Sequence, residues 1–500
     1  MPVTPLGNAT RPQQVVSALR SVWWMVPLLA ALGLGACGND GKMLTAEELR
    51  DPNMCVSCHP AQVADWSRSM HAYASDDPVF IAMNKRGQHD TNGALGDFCV
   101  KCHAPVAVHD GATKDGLNLD SLPASQHGVT CFFCHSEQSV DGAHNNPLTL
   151  ATDGKMVGPI SNPASGAPHP SGYSALLDGA QLESAGACGS CHDIVNTNNV
   201  ALERTYQEWQ SSVFAVPPHG QSCAQCHMAT STGFASSVSM VKRTLHAHDF
   251  PAVDIQLGDF PGADPVALRQ ASQTMLDNTV QTTICVDDTA RKILVALDNV
   301  AAGHSWPSGA SQDRRAWVDV TAYSGTDVLY KSGVADGETP ETAADPDAWV
   351  LRDCIFDDSQ NDVQMFWQAV SQTSNILFPS VPTVLTDPTT NAKSHMKMTY
   401  PVSESLTTSP DRVDVQLYLK AIGDDVLASL VQGNYLDPAA AAAVPIYQLQ
   451  GAASVEWTRA KSKPFFDITS GDVLACIVPS IYTPMGNIAN ATSHAHCKLP

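Results

Sequence analysis

Five copies of one short motif, Cys-x-x-Cys-His, lie between residues 55 and 227 and constrain this chain more than any other feature. Two thiols at this spacing can form thioethers with the two vinyl groups on one porphyrin edge, and the adjacent imidazole can then bind the iron. Zinc ribbons and thioredoxin-like sites also use Cys-x-x-Cys, but neither requires the histidine. Because the chain has only 18 histidines in 500 residues, chance would place all five about once in 10⁷ or less. The motif therefore predicts five covalently bound haem c groups.

Each motif supplies two thioether sulfurs and one proximal iron ligand. The predicted thioether sulfurs belong to Cys55, Cys58, Cys99, Cys102, Cys131, Cys134, Cys188, Cys191, Cys223 and Cys226. The predicted proximal ligands are His59, His103, His135, His192 and His227. Because the motifs leave only about 35 residues per haem, the macrocycles must take the place of an ordinary apolar core. We therefore expect short helices and loops around five haems, with little regular structure.

The N-terminus has the layout of an export signal. Arg11 and Arg20 precede an uncharged stretch, 22–36, that is shorter than the roughly 20 residues of a membrane-spanning helix. The stretch ends in Leu-Gly-Ala-Cys37, which resembles the bacterial lipobox, although an ordinary cleavage site near Cys37 is the alternative. The lipobox resemblance implies a signal peptide at 1–36, a lipidated Cys37 and an exported, lipid-anchored protein.

The residue after the lipidated cysteine bears on its location. Gly38 stands where an aspartate would favour retention in the inner membrane. The resemblance therefore implies the bacterial outer membrane, on its periplasmic or its surface side. Residues 37–50 are then a linker that joins the anchor to the first motif.

Four cysteines follow the last motif: Cys285, Cys354, Cys476 and Cys497. An even number in an oxidising compartment indicates two disulfides, with three connectivities available. The pairing that we expect joins Cys476 to Cys497, which fixes the C-terminal tail, and Cys285 to Cys354. Free buried cysteines are the alternative.

Several further segments, within residues 50–320, resemble the bacterial multihaem cytochromes c. One is Trp-Ser-Arg-Ser-Met-His71, on the stretch after the first motif; another is Gly-His-x-x-Pro-x-Gly around His304. In that family such segments provide distal iron ligands, and the second returns a histidine from the following domain. The resemblance implies the distal ligands His71, His127, His169, His248 and His304. Each has the alternative of an ordinary hydrogen-bonded or surface histidine, and the reserves are His144, His219, His246, Met70 and Met228.

The sequence changes character near residue 265. A helical stretch at 267–277 is followed by β-like runs at 282–286, 292–297, 317–323, 328–330 and 413–419. We therefore predict an α+β chain with a pentahaem cytochrome c domain at 51–265. An antiparallel β-sandwich-like domain at 266–500 contributes His304 to the haem domain. Arg314 and Arg315, near His304, are predicted either to pair with haem propionates or to lie solvated at the surface.

Charge limits the partners. Asp and Glu outnumber Lys and Arg by 50 to 28, for a net charge of −22, which argues against nucleic acid. We expect redox protein partners with basic docking surfaces. We expect membrane contact through the lipid anchor alone. The protein would act as a carrier or as a subunit of an electron conduit.

Two functions are compatible with the motifs. The first is electron transfer along closely packed, mostly bis-histidine haems, with no catalytic residue. The alternative is an oxidoreductase that acts on a small nitrogen or sulfur compound at one open-faced haem. Related reductases often replace one motif histidine by lysine, and hydroxylamine-oxidising relatives carry more motifs. This chain does neither, so the carrier function is favoured while the enzyme question stays open.

Overall fold

The structure is a computed structural model that describes residues 42–163, 167–218, 220–335, 339–340, 345–384, 387–392, 395–466, 471, 473–478, 488–490 and 497. The predicted signal peptide, Cys37 and His219 lie outside the described residues. Within them, no helix has both the length and the apolar character needed to cross a membrane.

Residues 42–264 form short helices joined by loops and small two-stranded sheets. The helices are α1 (Ala46–Arg50), α2 (Pro52–Cys55), α3 (Pro60–Ser67), α4 (Met70–Tyr73), α5 (Pro78–Asp90), α6 (Val100–His103), α7 (Pro105–His109), α8 (Cys131–His135), α9 (Ala185–Cys191), α10 (Thr205–Ser211) and α11 (Cys223–His227). The strands are β1 (Glu137–Val140), β2 (Leu148–Leu150), β3 (Met156–Gly158), β4 (Ser171–Tyr173), β5 (Ile194–Val195), β6 (Ala201–Glu203), β7 (Thr230–Phe234) and β8 (Lys242–His246). The pairs β1–β2, β5–β6 and β7–β8 are antiparallel, and β3–β4 is parallel.

Local sequence keeps these helices short. Pro60 follows the first motif and opens α3, and Pro105 opens α7 just after the second motif. Proline is well accommodated at a helix start but cannot continue a preceding helix. Ser222 caps α11 in a reciprocal capping box with Gln225. Each motif is therefore presented on about one turn of helix.

Apolar packing in this half occurs in small clusters. Leu49, Val106, Phe132, Phe133 and Leu150 form one of them. A second contains Phe80, Val100, Ala104, Ala107 and Leu119. Clusters of five buried residues are much smaller than the core of an ordinary domain, as the spacing of the motifs predicts.

The second half begins with α12 (Pro265–Leu276) and is mainly β structure. Its strands are β9 (Val280–Asp287), β10 (Lys292–Asn299), β11 (Arg315–Ser324), β12 (Asp327–Ser332), β13 (Trp349–Leu351), β14 (Asp353–Phe356), β15 (Asp362–Val363), β16 (Ser371–Ser374), β17 (Val381–Val384), β18 (Asp387–Ala392), β19 (His395–Tyr400), β20 (Arg412–Lys420), β21 (Ile446–Gln448), β22 (Val455–Thr458), β23 (Lys463–Phe466), β24 (Val473–Ile477) and β25 (Ile488–Asn490). Its other helices are α13 (Asp424–Gln432) and α14 (Pro438–Ala443).

Two six-stranded sheets dominate this half. One has the order β23-β24-β9-β10-β19-β25; the other contains β12-β11-β20-β21, with β13 beside β11 and β22 beside β20. Their pairings are antiparallel except for β19–β25. Buried and partly exposed residues alternate along β10 and β20, so one face of each strand points inward. Both sheets contribute to one large apolar cluster, as the layers of a sandwich do.

The predicted α+β class, short helices followed by antiparallel sheets, is confirmed. All five predicted β-like runs lie within β9, β10, β11, β12 and β20. These runs are recognisable because alternating apolar residues mark a strand with one buried face.

The disulfide connectivity differs from the expected one. Cys285 is bonded to Cys476, and Cys354 is bonded to Cys497. The first bond follows from sheet register, because β9 and β24 place the two cysteines directly opposite each other. The expected pairs were wrong since strand neighbours 191 residues apart leave no local signal in the sequence.

Arg315 is buried, Arg314 is largely buried, and both pair with carboxylates. Both terminal nitrogens of Arg314 donate to Asp254, at 2.9 and 2.8 Å. Arg315 donates to both oxygens of Asp425, at 2.9 and 2.8 Å. The solvated alternative was therefore wrong. Because Asp254 precedes α12, the Arg314 pair ties the haem-motif half of the chain to the β half.

Replacing Asp425 with asparagine is expected to lower the free energy of unfolding by about 3–5 kcal/mol, because it removes the charge opposite a buried arginine. The matched control is Asp288→Asn, which breaks the exposed bidentate pair with Arg459 and should cost less than about 1 kcal/mol. Urea unfolding followed by circular dichroism measures both. Equal losses in the two variants would contradict a structural role for the buried pair.

Candidate haem-binding sites

Hydrogen bonds fix the orientation of every motif imidazole. Four of the motif histidines place Nδ1 on a backbone carbonyl, and the fifth places it on a carboxylate. The contacts are His59 to Ala235 at 2.7 Å, His103 to Ala74 at 2.9 Å, His135 to Val157 at 2.6 Å, His227 to Pro251 at 3.0 Å and His192 to Glu203 at 3.1 Å. An imidazole that donates from Nδ1 keeps the lone pair on Nε2 for a metal. The chain therefore presents five ligands of the same tautomer.

Four of the motif histidines face a second imidazole across a gap. The ring centroids are 6.5 Å apart in His59–His169, 6.3 Å in His71–His192, 6.5 Å in His135–His248 and 6.4 Å in His227–His304. Two imidazoles on opposite sides of one metal should be about 6.3 Å apart, since each metal–nitrogen bond is about 2 Å and each nitrogen lies about 1.1 Å from its ring centre. The four gaps therefore fit iron held by two histidines.

The opposing histidines are oriented in the same way. Nδ1 of His248 contacts the His246 carbonyl at 2.9 Å, and Nδ1 of His304 contacts the Ser305 carbonyl at 2.8 Å. In the first pair, Nδ1 of His169 lies 3.1 Å from the Ser171 hydroxyl. Like the motif histidines, these rings leave Nε2 available. Four of the predicted distal residues, His71, His169, His248 and His304, are thus brought to a motif histidine.

Burial keeps most of these rings neutral, the form that binds metal. It lowers the pKa of His71 to about 3, and the pKa values of His227 and His248 to about 4. His192 differs. Burial lowers its pKa, but the hydrogen bond that the ring donates to the Glu203 carboxylate, the charge of that carboxylate and smaller contributions from Cys191 and Cys188 together outweigh burial and raise the pKa to about 9.

His127 does not face a motif histidine. Its Nδ1 lies 3.1 Å from a carboxylate oxygen of Asp76, and its Nε2 lies 3.0 Å from the Leu119 carbonyl. Both ring nitrogens are therefore engaged, and these contacts do not support the prediction that His127 is a distal ligand. In the described part of the chain no second imidazole faces His103; the Phe80 ring stacks on it instead, at 4.1 Å.

The His127–Asp76 contact predicts a pH dependence. Its hydrogen bond to Asp76 raises the pKa of His127 above the ordinary 6.5. The contribution to stability is complete below 6.5 and is lost as pH rises through the raised folded pKa. Replacing His127 with glutamine should therefore destabilise the protein more at about pH 5.5 than at about pH 9. Urea unfolding at both values tests this, and a loss independent of pH would contradict the ion pair.

The motifs also approach one another through their sulfurs. Neighbouring thiols raise the pKa of three motif cysteines: Cys55 raises that of Cys131, Cys102 that of Cys191 and Cys223 that of Cys188. Cys134 also interacts with Cys188 and Cys191. The fourth motif therefore neighbours the second, third and fifth, whereas the first neighbours the third. Cys58 is disulfide-bonded in the structure, and a thioether at this sulfur would replace that bond.

Two residues of α10 hold the loop that carries His304. The Glu208 carboxylate accepts from the Ser305 amide at 3.0 Å and from the Ser308 hydroxyl at 2.8 Å. The Thr205 hydroxyl accepts from the Gly309 amide at 3.1 Å. These contacts were not predicted from the sequence.

Replacing Glu208 with alanine should loosen the His304 loop and cost about 1–3 kcal/mol, because two buried donors lose their acceptor. We also expect a changed ferric EPR signal from the haem site of His227 and His304, which a loss of stability alone would not produce. Glu208→Gln keeps an acceptor oxygen and should restore most of that signal. An unchanged signal in both variants would show that Glu208 does not position His304.

The comparisons with known proteins agree with this geometry. Residues 54–136 match the family described as cytochrome c554 and c-prime. The fold is similar to that of a penta-heme cytochrome c552 from Thermochromatium tepidum, with 20% sequence identity and a TM-score of 0.54. That match covers 83% of this chain and 98% of the other. A search of curated proteins gives no match. Residues 54–136 are thus similar to a family of c-type cytochromes, and the fold is similar to that of a multihaem cytochrome.

Proposed function

We propose that this chain binds five haem c groups and relays electrons among them, with four of the irons held by paired histidines. The observation that carries the proposal is the four imidazole gaps of 6.3–6.5 Å. Bound haem supplies reversible one-electron chemistry. The paired histidines fill both axial positions, which favours electron transfer over substrate binding.

The sulfur contacts support an order for the relay. The first motif neighbours the third, the third neighbours the fourth, and the fourth also neighbours the second and fifth. Thioether sulfurs lie at the porphyrin edge, so motifs whose sulfurs interact would bring two haem edges near each other. The site of Cys188, Cys191 and His192 is then the branch point of the relay.

The chain itself supplies the charge environment of this branch point. Nδ1 of His192 donates a hydrogen bond to the Glu203 carboxylate at 3.1 Å. A carboxylate that accepts this hydrogen bond makes the imidazole more electron-rich, which stabilises the oxidised state of a bound iron. The other motif histidines bond to neutral carbonyls, so we infer a lower potential at the fourth site than at a comparable carbonyl-bonded site.

The proposal includes a lipid anchor at Cys37 in the bacterial outer membrane, which the N-terminal sequence pattern supports. The net charge of −22 supports redox partners that dock through basic surfaces. Such partners would exchange electrons with whichever haem edge lies nearest the surface.

A second candidate function rests on the second motif. Among the described residues the ring stacked on His103 is that of Phe80, and iron held here by one imidazole alone would have an open axial position. Such a position allows a small nitrogen or sulfur compound to bind, as in an oxidoreductase. Carbon monoxide binding to the reduced protein, in an amount of one site per chain, would favour this candidate.

Intact-mass measurement of the purified protein, together with haem quantification, tests the proposed relay. We expect five haems per chain, with one fewer in a variant whose second-motif cysteines, Cys99 and Cys102, are replaced by alanine. Fewer than five haems in the unsubstituted protein would contradict the proposed count. A potentiometric titration should then require several one-electron components rather than one.

A further inference from the structure

The hairpin of β7 and β8 presents an unusual apolar tip. Met240 is 91% exposed, and Phe234, Val238 and Val241 are each about half exposed. Most other exposed large hydrophobic residues of the described chain are dispersed along the sequence. These four apolar residues lie within eight consecutive positions and form a patch. Apolar patches on a surface usually mark an interaction site.

The charge around this tip differs from that of the rest of the protein. Residues 209–248 contain no aspartate or glutamate, although the chain has 50 acidic residues. Lys242 and Arg243 directly follow the apolar tip. The hairpin is therefore a basic, apolar element in an acidic protein, which fits an anionic partner.

Backbone contacts place the hairpin beside the first motif. The Ala235 carbonyl accepts from Nδ1 of His59 at 2.7 Å, and the Ser237 amide donates to the Cys58 carbonyl at 2.7 Å. Val56, within the same motif, is also exposed. The apolar tip is thus continuous with the surface of the first haem site.

The first described residues of the chain also lie near the first haem site. The Leu44 amide donates to the Pro168 carbonyl at 2.7 Å, and Arg243 donates to the Asn162 carbonyl at 3.2 Å. The opposing ligand of the first site, His169, directly follows Pro168. Lys42 is five residue steps from Cys37, which span at most about 17 Å. A lipid at Cys37 would therefore keep this face close to the membrane.

We propose that the hairpin tip is a second membrane contact, in which Met240 and Val241 enter the interface of a bilayer and Lys242 and Arg243 contact anionic headgroups. The inference rests on the proposed lipid anchor and deepens it. A lipid at Cys37 tethers the protein at one point, and an additional apolar and basic contact strengthens the binding. The hairpin also orients the protein, with the first haem site facing the bilayer.

The test uses holoprotein without the lipid, made by replacing Cys37 with alanine behind an export signal that is not lipidated. Its binding to vesicles of phosphatidylethanolamine and phosphatidylglycerol is measured by co-sedimentation. We expect binding that weakens about tenfold in the double variant Met240→Ser with Val241→Ser, because two apolar side chains lose their bilayer contact. The matched control is Val266→Ser, on α12, where an apolar residue is 76% exposed but lies in another element.

A second pair of vesicles separates the apolar and charged contributions. Vesicles of phosphatidylcholine alone should bind the unlipidated protein more weakly, and Lys242→Gln with Arg243→Gln should remove most of the difference between the two compositions. Haem content and the absorption spectrum of each variant are recorded in the same samples. Normal haem content without vesicle binding would overturn the hairpin proposal and leave the relay intact. Equal weakening of vesicle binding by the hairpin and Val266 variants would also overturn the proposal. So would hairpin variants that bind vesicles normally but lose electron exchange with a soluble redox protein.

Discussion

Replacing His71 with alanine is expected to convert one ferric haem per chain from low spin to high spin. His71 faces His192 with a centroid separation of 6.3 Å, and burial lowers its pKa to about 3, so the ring is neutral and able to ligate. Without it, one axial position of the fourth site opens. EPR and absorbance of the oxidised protein measure the change, and the reduced variant should bind one additional carbon monoxide.

His127→Ala is the matched control for this experiment. Both histidines have sequence contexts that resemble family ligands, but His127 bonds to Asp76 and Leu119 through its two ring nitrogens. We expect its removal to leave every haem signal unchanged. A high-spin signal in the His127 variant, or none in the His71 variant, would reverse the assignment of the two residues.

Replacing Cys188 and Cys191 with alanine should remove one haem and divide the relay. The fourth motif is the one whose sulfurs approach those of the second, third and fifth motifs. Its loss separates the sites of the first and third motifs from the other two. Electron transfer within the chain, followed after flash reduction, should lose its coupling between these groups. One haem of five is lost, yet the effect on long-range transfer should be nearly complete.

Cys223→Ala with Cys226→Ala is the control for this variant. It also removes one haem, but the contacts of the fifth motif place it at an end of the relay. Exchange among the other four sites should continue. If the two variants lose internal electron transfer equally, the fourth site is not the branch point.

The motif cysteines and histidines could be identified from the sequence because covalent haem attachment imposes a fixed local spacing. The strands around residues 280–299 and 315–332 could also be predicted, since alternation of apolar residues is a local signal. Features that depend on about ten consecutive residues could therefore be predicted from the sequence.

Features that depend on contacts between residues far apart in the sequence could not be predicted in this way. His71 lies near the first motif in sequence but faces His192 of the fourth, 121 residues away. The bond between Cys285 and Cys476 depends on the register of two strands. His127 precedes a motif as a family ligand does, yet Asp76 and Leu119 occupy its nitrogens. Sequence resemblance named candidate ligands, and tertiary structure decided their partners.

EPR of the fully oxidised holoprotein, with spin quantification against its haem content, tests the central claim most directly. The four facing histidine pairs predict four low-spin haems per chain. The fifth, at His103, should have a different signal, since no second imidazole faces it in the described residues. Fewer than four low-spin haems in a protein with full haem content would contradict the paired-histidine relay.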